Sequence, residues 1–136
     1  MKKKIALSVL ILATIGVSIG YYMFQKPVES LREKEATWQG SSEELFDTFN
    51  SDEAGSNIAY TGKVLTVNGI VVETMVNSDS SNTLILNSSH PIFGVKCRLD
   101  PKDNPQPTPA KGDAVSVKGL CTGMNSDVEL NQCIIQ

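Results

Sequence analysis

The chain has 136 residues, enough for one modest domain with short additions, and 40% of them are hydrophobic, so a packed core is feasible. Its formal net charge is −3 at pH 7, but three of the 12 basic residues are Lys2, Lys3 and Lys4. From Ser41 onward, 6 basic and 12 acidic residues give a net charge of −6. Because cationic contacts supply most non-specific affinity for nucleic acid, so acidic a domain counts against DNA or RNA as its partner.

The first 24 residues predict a membrane segment. A basic head over residues 1–4 precedes a stretch without a charge over 5–24. At 1.5 Å per residue, a helix of this length spans about 30 Å, which matches the hydrocarbon core of a bilayer. Aromatic residues at its far end are typical of a membrane interface, and lysines before it favour a cytoplasmic N-terminus. We therefore expect a single-pass anchor, with the rest of the chain outside the cytoplasm.

The same segment also fits a signal peptide cleaved near Ser18-Ile19-Gly20, which would leave a secreted or periplasmic protein. After it, residues 25–40 (QKPVESLREKEATWQG) are charged and contain few apolar side chains. This composition predicts a stalk beside the membrane, with a helix over 28–36. Trp38, alone in the stalk, either packs on the following domain or rests at the bilayer surface.

A short amphipathic helix over about 42–54 is predicted to open the folded domain, which we place at 41–136. Ser41 or Ser42 can cap this helix, and Glu44 lies three residues after Ser41, the spacing of a capping box. The apolar residues of the segment fall on one side of the helix: Leu45, Phe46 and Phe49.

From Tyr60 the pattern becomes that of β-strands, with alternating and β-branched residues. The run YTGKVLTVNGIVVETMV is long for one strand, and Gly69 in its middle predicts a bend or bulge. NTLILN and HPIFGVKCRLD follow as strands, and AVSVKGLCTG and DVELNQCIIQ form the arms of a hairpin. Between them, PKDNPQPTPAKGD holds four prolines and predicts a loop. Five strands with a long, bent first one predict an all-β, five-stranded Greek-key barrel.

The segment KGDAVSVKGLCTGMNSDVELNQCII, residues 111–135, resembles the tRNA_anti-like family of bacterial OB-fold proteins. The shared pattern is G-D-x-V-x-V-K-G-x-C-T-G followed by D-V-x-L-x-x-C, and the likeness extends over roughly 41–136. The resemblance implies an OB-fold barrel in an envelope protein, here at the bacterial cell membrane, with the third strand parallel beside the fifth. It implies little about activity, since the family name records a similarity of fold, which does not fix function.

In an OB-fold the ligand lies on the second and third strands. Phe93, Lys96 and Arg98 are the candidate residues, and the last two alternate with apolar neighbours, so they should point outward. NTLILN offers no aromatic ring, and the domain is acidic, so a small-molecule, glycan or protein ligand fits better than nucleic acid. We expect a non-catalytic binding or adaptor module. Two alternatives stay open: a domain that binds tRNA or single-stranded DNA, and a structural envelope protein acting through protein contacts.

Catalysis and metal binding find little support in the residues. His90 is the single histidine, and seven residues of extended chain, roughly 23 Å, separate it from Cys97. A nucleophile and its base need hydrogen-bond distance, so we expect no enzyme activity. The cysteines include no C-x-x-C pair, the usual spacing of zinc ligands, so we expect no metal site and no cofactor.

The hairpin cysteines are predicted to lie on opposite faces of the sheet. With residues 125–126 as the turn centre, Cys121 faces Leu130, and Lys118 faces Cys133. A bridge between the two arms is therefore poorly placed.

The resemblance puts Cys97 and Cys133 near matching ends of neighbouring strands, but on opposite faces unless one strand bulges. Three outcomes stay open: a Cys97–Cys133 disulfide, a Cys121–Cys133 disulfide, or three thiols that pack as small core residues.

Overall fold

A computed structural model describes residues 1–25, 30–104 and 107–136. In chain order its elements are α1 Lys2–Phe24, β1 Trp38–Ser41, α2 Ser42–Ser51, α3 Glu53–Tyr60, β2 Val64–Val76, β3 Asn82–Leu86, β4 Val95–Leu99, β5 Ala114–Asn125 and β6 Asp127–Ile135.

Strands β2 to β6 close into a five-stranded barrel, because β2 pairs with both β3 and β5. The first half of β2 lies antiparallel to β5 and its second half antiparallel to β3. β4 runs parallel beside β6, and β5 and β6 form the final hairpin. The predicted five-stranded Greek-key barrel is therefore confirmed. β1, which runs parallel to the first half of β2, is an addition that the sequence did not indicate.

The start of α2 has the predicted serine cap, which is one half of the capping box. Ser41 Oγ accepts a hydrogen bond from the Glu44 backbone nitrogen at 3.1 Å, which satisfies one of the free N–H groups at the start of a helix. The apolar side of α2 covers one end of the barrel and is fully buried in its core: Leu45, Phe46 and Phe49.

The single helix predicted over about 42–54 is two helices. Helical geometry breaks at Asp52, whose carboxylate accepts a hydrogen bond from the Gly55 backbone nitrogen at 3.1 Å and so caps α3. Because this second cap starts a new helix, the helical region continues to Tyr60. The first barrel strand accordingly begins at Val64 rather than at 60.

The irregularity in β2 lies at a different residue from the one predicted. Pairing with β3 shifts register between Val71 and Glu73, whereas Gly69 stays in register with β5. Gly69 is required for another reason, since a Cβ at this position would lie 2.4 Å from Ser42 Oγ. The glycine lets α2 approach the strand closely.

The described part of the predicted stalk, residues 30–40, packs on the barrel. Leu31 is 2% exposed and forms a small apolar cluster with Val64 and Ile134. Trp38 begins β1, and its ring packs edge-on against a neighbouring tyrosine. Burial of these apolar side chains draws the segment onto the barrel, while its charged residues stay in solvent. The folded unit therefore begins before residue 41.

The helix predicted over 28–36 is wrong where the structure can be compared with it. Residues 30–36 form turns and bends, and 28–29 lie outside the described residues. The contacts of residues 30–36 with the barrel replace the hydrogen bonds that a free stalk helix would make.

α1 is long and apolar enough to cross a membrane by length and composition, with a mean hydropathy of 2.0, and its side chains are exposed. No other helix in the described ranges meets these criteria. Since a signal sequence near an N-terminus has the same properties, both alternatives from the sequence stay open.

The final hairpin follows the predicted register only near its turn. Cys121 pairs with Leu130 as expected, but Lys118 pairs with Ile134 rather than with Cys133. The shift has a local cause, because the ladder is interrupted by bulges on both sides of the Cys121 region.

The bulge near the end of β6 turns Cys133 into the core. Gln132 has a φ of +53°, and Cys133, the next residue, is 0% exposed. The prediction that Cys121 and Cys133 lie on opposite faces is therefore wrong, since both are buried in the same apolar cluster. One extra residue in a strand inverts the facing of every residue after it.

Candidate functional site

The outer surface around β3, β4 and β6 carries a polar groove of about 270 Å³. Burial alternates along β4, with its apolar residues inside the barrel and Lys96 and Arg98 outside, as predicted. We call the surface formed by the six polar lining residues the β4 face: Asn77, Thr83, Lys96, Arg98, Glu129 and Asn131.

Arg98 is paired with a carboxylate of the β2–β3 loop. It forms an ion pair with Asp79, and both side chains are 52% exposed. Asp79 Oδ1 accepts hydrogen bonds from the hydroxyl and backbone nitrogen of Ser81, at 2.6 and 3.1 Å. These bonds, and then Arg98, lower the pKa of Asp79 from 3.8 to about 2. Asp79 is ionised at neutral pH, as it would be at its ordinary pKa, and its charge offsets that of Arg98.

Lys96 stands beside Glu129, its partner across the parallel ladder of β4 and β6. Both side chains line the groove. Next to them, Asn77 Nδ2 donates to the hydroxyls of Ser81 and Thr83 at 2.9 and 2.8 Å, which fixes the β2–β3 loop to β3. Each cation of the β4 face thus has a carboxylate neighbour, and the surface carries little net charge.

Phe93, the third predicted residue, lies outside this groove. Its ring stacks on His90 with a centroid separation of 5.0 Å, and it lines a separate depression with Val72. His90 is itself fixed, because its Nδ1 accepts hydrogen bonds from the backbone nitrogens of Ile92 and Phe93 at 3.1 and 3.2 Å. The structure therefore brings two of the three predicted residues together and places Phe93 before the start of β4.

Ser89 and His90 of the loop before β4, together with Asp47 of α2, are the residue types of a hydrolase triad, but their hydrogen bonds differ from those of a triad. Ser89 donates directly to the Asp47 carboxylate, and His90 Nδ1 is occupied by backbone N–H groups. In a triad, the serine donates to the histidine, which donates to the acid. Cys97 faces the core and is 0% exposed. Neither the triad nor a Cys97–His90 pair is arranged for catalysis.

Within the described ranges, no three His, Cys, Asp or Glu side chains converge as metal ligands. That finding leaves the expectation of no metal and no cofactor as a prediction.

All three cysteines are free, buried thiols. Burial raises the pKa of Cys121, and burial followed by interaction with Cys97 raises the pKa of Cys133. Cys97 pairs with Leu130 and Cys133 with Leu99, so the two cysteines are diagonal neighbours on adjacent strands. A side-chain hydrogen bond between the two thiols contributes to the raised pKa of Cys133, so their sulfur atoms lie close together in the core. The Cys97–Cys133 bridge stays a prediction.

The carboxylate neighbours of Lys96 and Arg98 were not predicted. Asp79 lies in the polar turn NSDSSN, where an acidic residue is unremarkable, and Glu129 alternates with apolar residues as on any solvated strand. The family resemblance implied that the third and fifth strands run in parallel side by side. From that pairing, Glu129 could have been predicted to lie beside Lys96.

A larger cavity, of about 620 Å³, lies near the carboxyl end of β4 and was also not predicted. Arg32, Asn82, Asp103 and Thr108 supply polar groups to it, and prolines of the loop between β4 and β5 form part of its wall. This cavity could not be predicted from the sequence, because residues 25–40 were predicted to form a stalk and Arg32 was therefore placed away from the domain.

A closed five-stranded barrel with its third and fifth strands in parallel defines the class of OB-fold domains. The chain matches the tRNA_anti-like family over residues 1–134 and belongs to that family. The resemblance seen in the sequence is thus confirmed. Among curated proteins no match was found.

Two solved structures show how far the likeness extends. The chain is similar to a "putative nucleic acid-binding lipoprotein" from Klebsiella pneumoniae subsp. pneumoniae MGH 78578, with a TM-score of 0.53, 12% identity and coverage of 72% of this chain and 92% of that one. It is also similar to a "putative aspartyl-tRNA synthetase" from Leishmania major Friedlin, with a TM-score of 0.47, 14% identity and coverage of 90% of this chain and 26% of that one. At 12% identity, the first likeness supports a shared fold alone.

Proposed function

We propose that this protein is a membrane-anchored binding module, with a non-catalytic OB-fold domain outside the cytoplasm. The length and hydropathy of α1 support the anchor, and the lysines at residues 2–4 favour a cytoplasmic N-terminus. The description of the Klebsiella neighbour as a lipoprotein fits an envelope location. Cleavage of α1 as a signal peptide is the alternative, and it would leave the same domain free in that compartment.

The charge balance of the β4 face is the observation that carries our proposal about the ligand. Lys96 lies beside Glu129, and Arg98 is paired with Asp79. A phosphate backbone is bound mainly by cations whose charge is available to it. Here each cation already has a carboxylate neighbour, so a phosphate would have to displace or repel one.

The groove suits a neutral polar ligand better. Its amide, hydroxyl and charged groups can donate and accept hydrogen bonds in several directions, while its volume of about 270 Å³ and its open shape suit part of an extended molecule. We propose a glycan or a peptide segment as the ligand of the β4 face.

Nucleic acid is the second candidate. The Klebsiella neighbour of the same fold is described as nucleic acid-binding, and Lys96 and Arg98 lie on the strand where OB-folds bind oligonucleotides. The β4 face lacks an aromatic ring among its six residues, whereas single-stranded nucleic acid is usually bound by stacking on such rings.

Titration of the full chain in nanodiscs tests both ligands. Oligosaccharides, peptides and a single-stranded oligonucleotide are added in turn, and amide NMR shifts at Lys96 and Arg98 are followed. We expect shifts with a saccharide or peptide, and their loss in Lys96→Ala/Arg98→Ala. Lys63→Ala, a change of an exposed lysine away from the groove, is the matched control and should bind normally.

The oligonucleotide arm has a different signature. Binding through both cations would weaken with salt, with log K falling against log salt at a slope of about 1.4 for two phosphate contacts. Micromolar binding with such a slope, abolished in the double variant, would overturn our preference and establish the second candidate.

A further inference from the structure

The segment after α1 is fastened to one end of the barrel. Ser30 Oγ donates to Asp103 Oδ2 at 3.0 Å. Arg32 donates twice to the same residue, from Nε to Oδ1 at 3.0 Å and from Nη2 to the backbone carbonyl at 2.6 Å. Lys118, which is 8% exposed, donates from Nζ to the Arg32 carbonyl at 3.4 Å. From Ser30 onward, the chain is thus held against the barrel.

This fastening limits the distance between the barrel and the end of α1. Six residue steps join Phe24, the last residue of α1, to Ser30. Since an extended chain spans at most about 3.6 Å per residue, this link reaches no more than about 22 Å. If α1 crosses the membrane, as proposed above, the contact between Ser30 and Asp103 stays within about 22 Å of the end of α1 at the bilayer surface. The end with Phe93 lies across the length of β4 from it.

The 620 Å³ cavity lies at the fastened end. Arg32 and Asp103, which make the fastening contacts, also line the cavity. Its volume falls in the range of about 300–1,000 Å³ that is usual for small-ligand sites. Pro101 and Pro107 form part of its wall, while Asn82 adds a polar group.

The cavity is lined by charged side chains of both signs. The Arg32 guanidinium and the Asp103 carboxylate lie 3.0 Å apart, with side-chain exposures of 56% and 18%. Because Arg32 and Asp103 are already paired, a phosphate alone would compete with Asp103, as on the β4 face. A ligand that carries both a phosphate and an ammonium group brings an opposite charge for each side chain and leaves neither unpaired. The headgroup of a zwitterionic phospholipid has this combination, and a bilayer presents it at high local concentration.

We propose that the cavity faces the membrane and receives the headgroup of a zwitterionic phospholipid, with the phosphate near Arg32 and the ammonium near Asp103. The proposal rests on the anchoring role of α1. It places the opposite end of the barrel, with Phe93, away from the bilayer.

Relaxation enhancement by spin-labelled lipid tests this arrangement. The full chain is placed in phosphatidylethanolamine–phosphatidylcholine nanodiscs that contain a minor fraction of lipid with a nitroxide headgroup. We expect loss of the amide signals of Asp103 and Thr108, while those of Phe93 and His90 persist. Equal loss at both ends, or loss at Phe93 alone, would overturn the orientation.

Variants on the fastened segment test the cavity itself. Arg32→Ala removes the cation and two hydrogen bonds to Asp103, and we expect the signal of Thr108 to recover. The amide shift of Leu31, which reports the docked segment, should stay unchanged, whereas a shift at Leu31 together with recovery would mean that the segment has detached and would count against the headgroup site. Glu33→Ala changes the exposed neighbouring residue, which does not line the cavity, and should behave as the unmodified chain. Replacement of the zwitterionic lipids by phosphatidylglycerol, which lacks the ammonium group, should also reduce the loss at Thr108. If the loss of the Thr108 amide signal is unchanged both in Arg32→Ala and in phosphatidylglycerol nanodiscs, the headgroup site is overturned.

Failure of the anchor gives a different result. A chain that does not copurify with nanodiscs would overturn the anchored form of the proposed function together with this inference. An embedded chain whose Asp103 signal is no weaker than that of Phe93 would overturn this inference alone.

Discussion

Asp79 has a carboxylate whose pKa of about 2 lies below its ordinary 3.8, with the hydrogen bonds from Ser81 as the largest cause and Arg98 as a smaller one. We predict that Ser81→Ala, which removes the largest single cause, raises the pKa of Asp79, and that Arg98→Ala raises it as well. Carboxyl NMR during an acid titration measures both values. An unchanged pKa in Ser81→Ala would contradict the role of the Ser81 hydroxyl.

The same carboxylate gives a pH dependence of defined sign. Because its folded pKa lies below the unfolded value, Asp79 contributes stability above about pH 4, and this contribution is lost as the pH falls towards about 2. We expect acid unfolding of Asp79→Asn to be less steep over this interval than that of the unmodified protein. High salt should reduce only the part of the effect that comes from Arg98, because the larger hydrogen bonds from Ser81 involve neutral groups.

Gly119 and Cys133 share one space in the core. A Cβ on Gly119 would lie 2.6 Å from Cys133 Sγ and 3.1 Å from Leu130 Cβ. We predict that Gly119→Ala destabilises the fold by about 1–3 kcal/mol through overpacking. In urea unfolding, Gly119→Ala/Cys133→Ala should lose less than the sum of the two single changes, because the second change removes the sulfur.

Val71→Ala supplies the control for this pair. Val71 is also buried, but it pairs with Leu86 in the second half of β2 and is not among the near contacts of a Cβ on Gly119. Its effect should add to that of Gly119→Ala within about 0.5 kcal/mol. If the effects of Gly119→Ala and Cys133→Ala also added, this would contradict the idea that a Cβ on Gly119 and the Cys133 sulfur compete for the same space.

At the scale of elements, the bulge in β6 decides which side chains enter the core. Gln132 holds a φ of +53°, a conformation that β-branched residues adopt with strain. We predict that Gln132→Val costs about 1–2 kcal/mol, whereas Gln132→Gly is neutral or stabilising, as measured by chemical denaturation. Equal losses in the two variants would mean that the glutamine side chain, rather than the backbone, supports the bulge.

Local signals in the sequence were enough to predict several elements. The cap of α2 depends on Ser41 and Glu44, which are three residues apart, and the strand faces depend on alternation along β4. The bulge in β6 has no local signal, because Gln132 is neither glycine nor asparagine. Leu31 was equally hidden, since its burial depends on strands far along the chain.

The candidate site shows the same limit. Lys96 and Arg98 were predicted to point outward, and they do, because alternation in one strand is sufficient for that. Their carboxylate partners come from a loop and from another strand, and only the folded sheet brings these together. The balance of charges around Lys96 and Arg98 therefore could not be predicted from the sequence of β4 alone.

For the whole molecule, we predict that the stable unit begins near residue 30. Deletion of residues 1–24 should leave the free energy of unfolding of the domain unchanged, because the side chains of α1 are exposed. Deletion of 1–37 should cost about 2–5 kcal/mol, since it removes buried Leu31 with its contacts to the barrel. Urea unfolding of the two truncated chains measures the difference. If the two truncated chains were equally stable, residues 30–40 would contribute nothing to the fold and would be a free stalk, as first predicted.

The contact between Leu31 and Ile134 also sets an order of assembly. In a chain anchored by α1, Leu31 emerges early during synthesis, while Ile134 belongs to β6, the final strand. Until β6 is in place, the early segment has no completed surface to dock against. Docking of the segment around Leu31 can therefore be completed only after β6 has paired, so an incompletely synthesised chain leaves this segment without its contacts on the barrel.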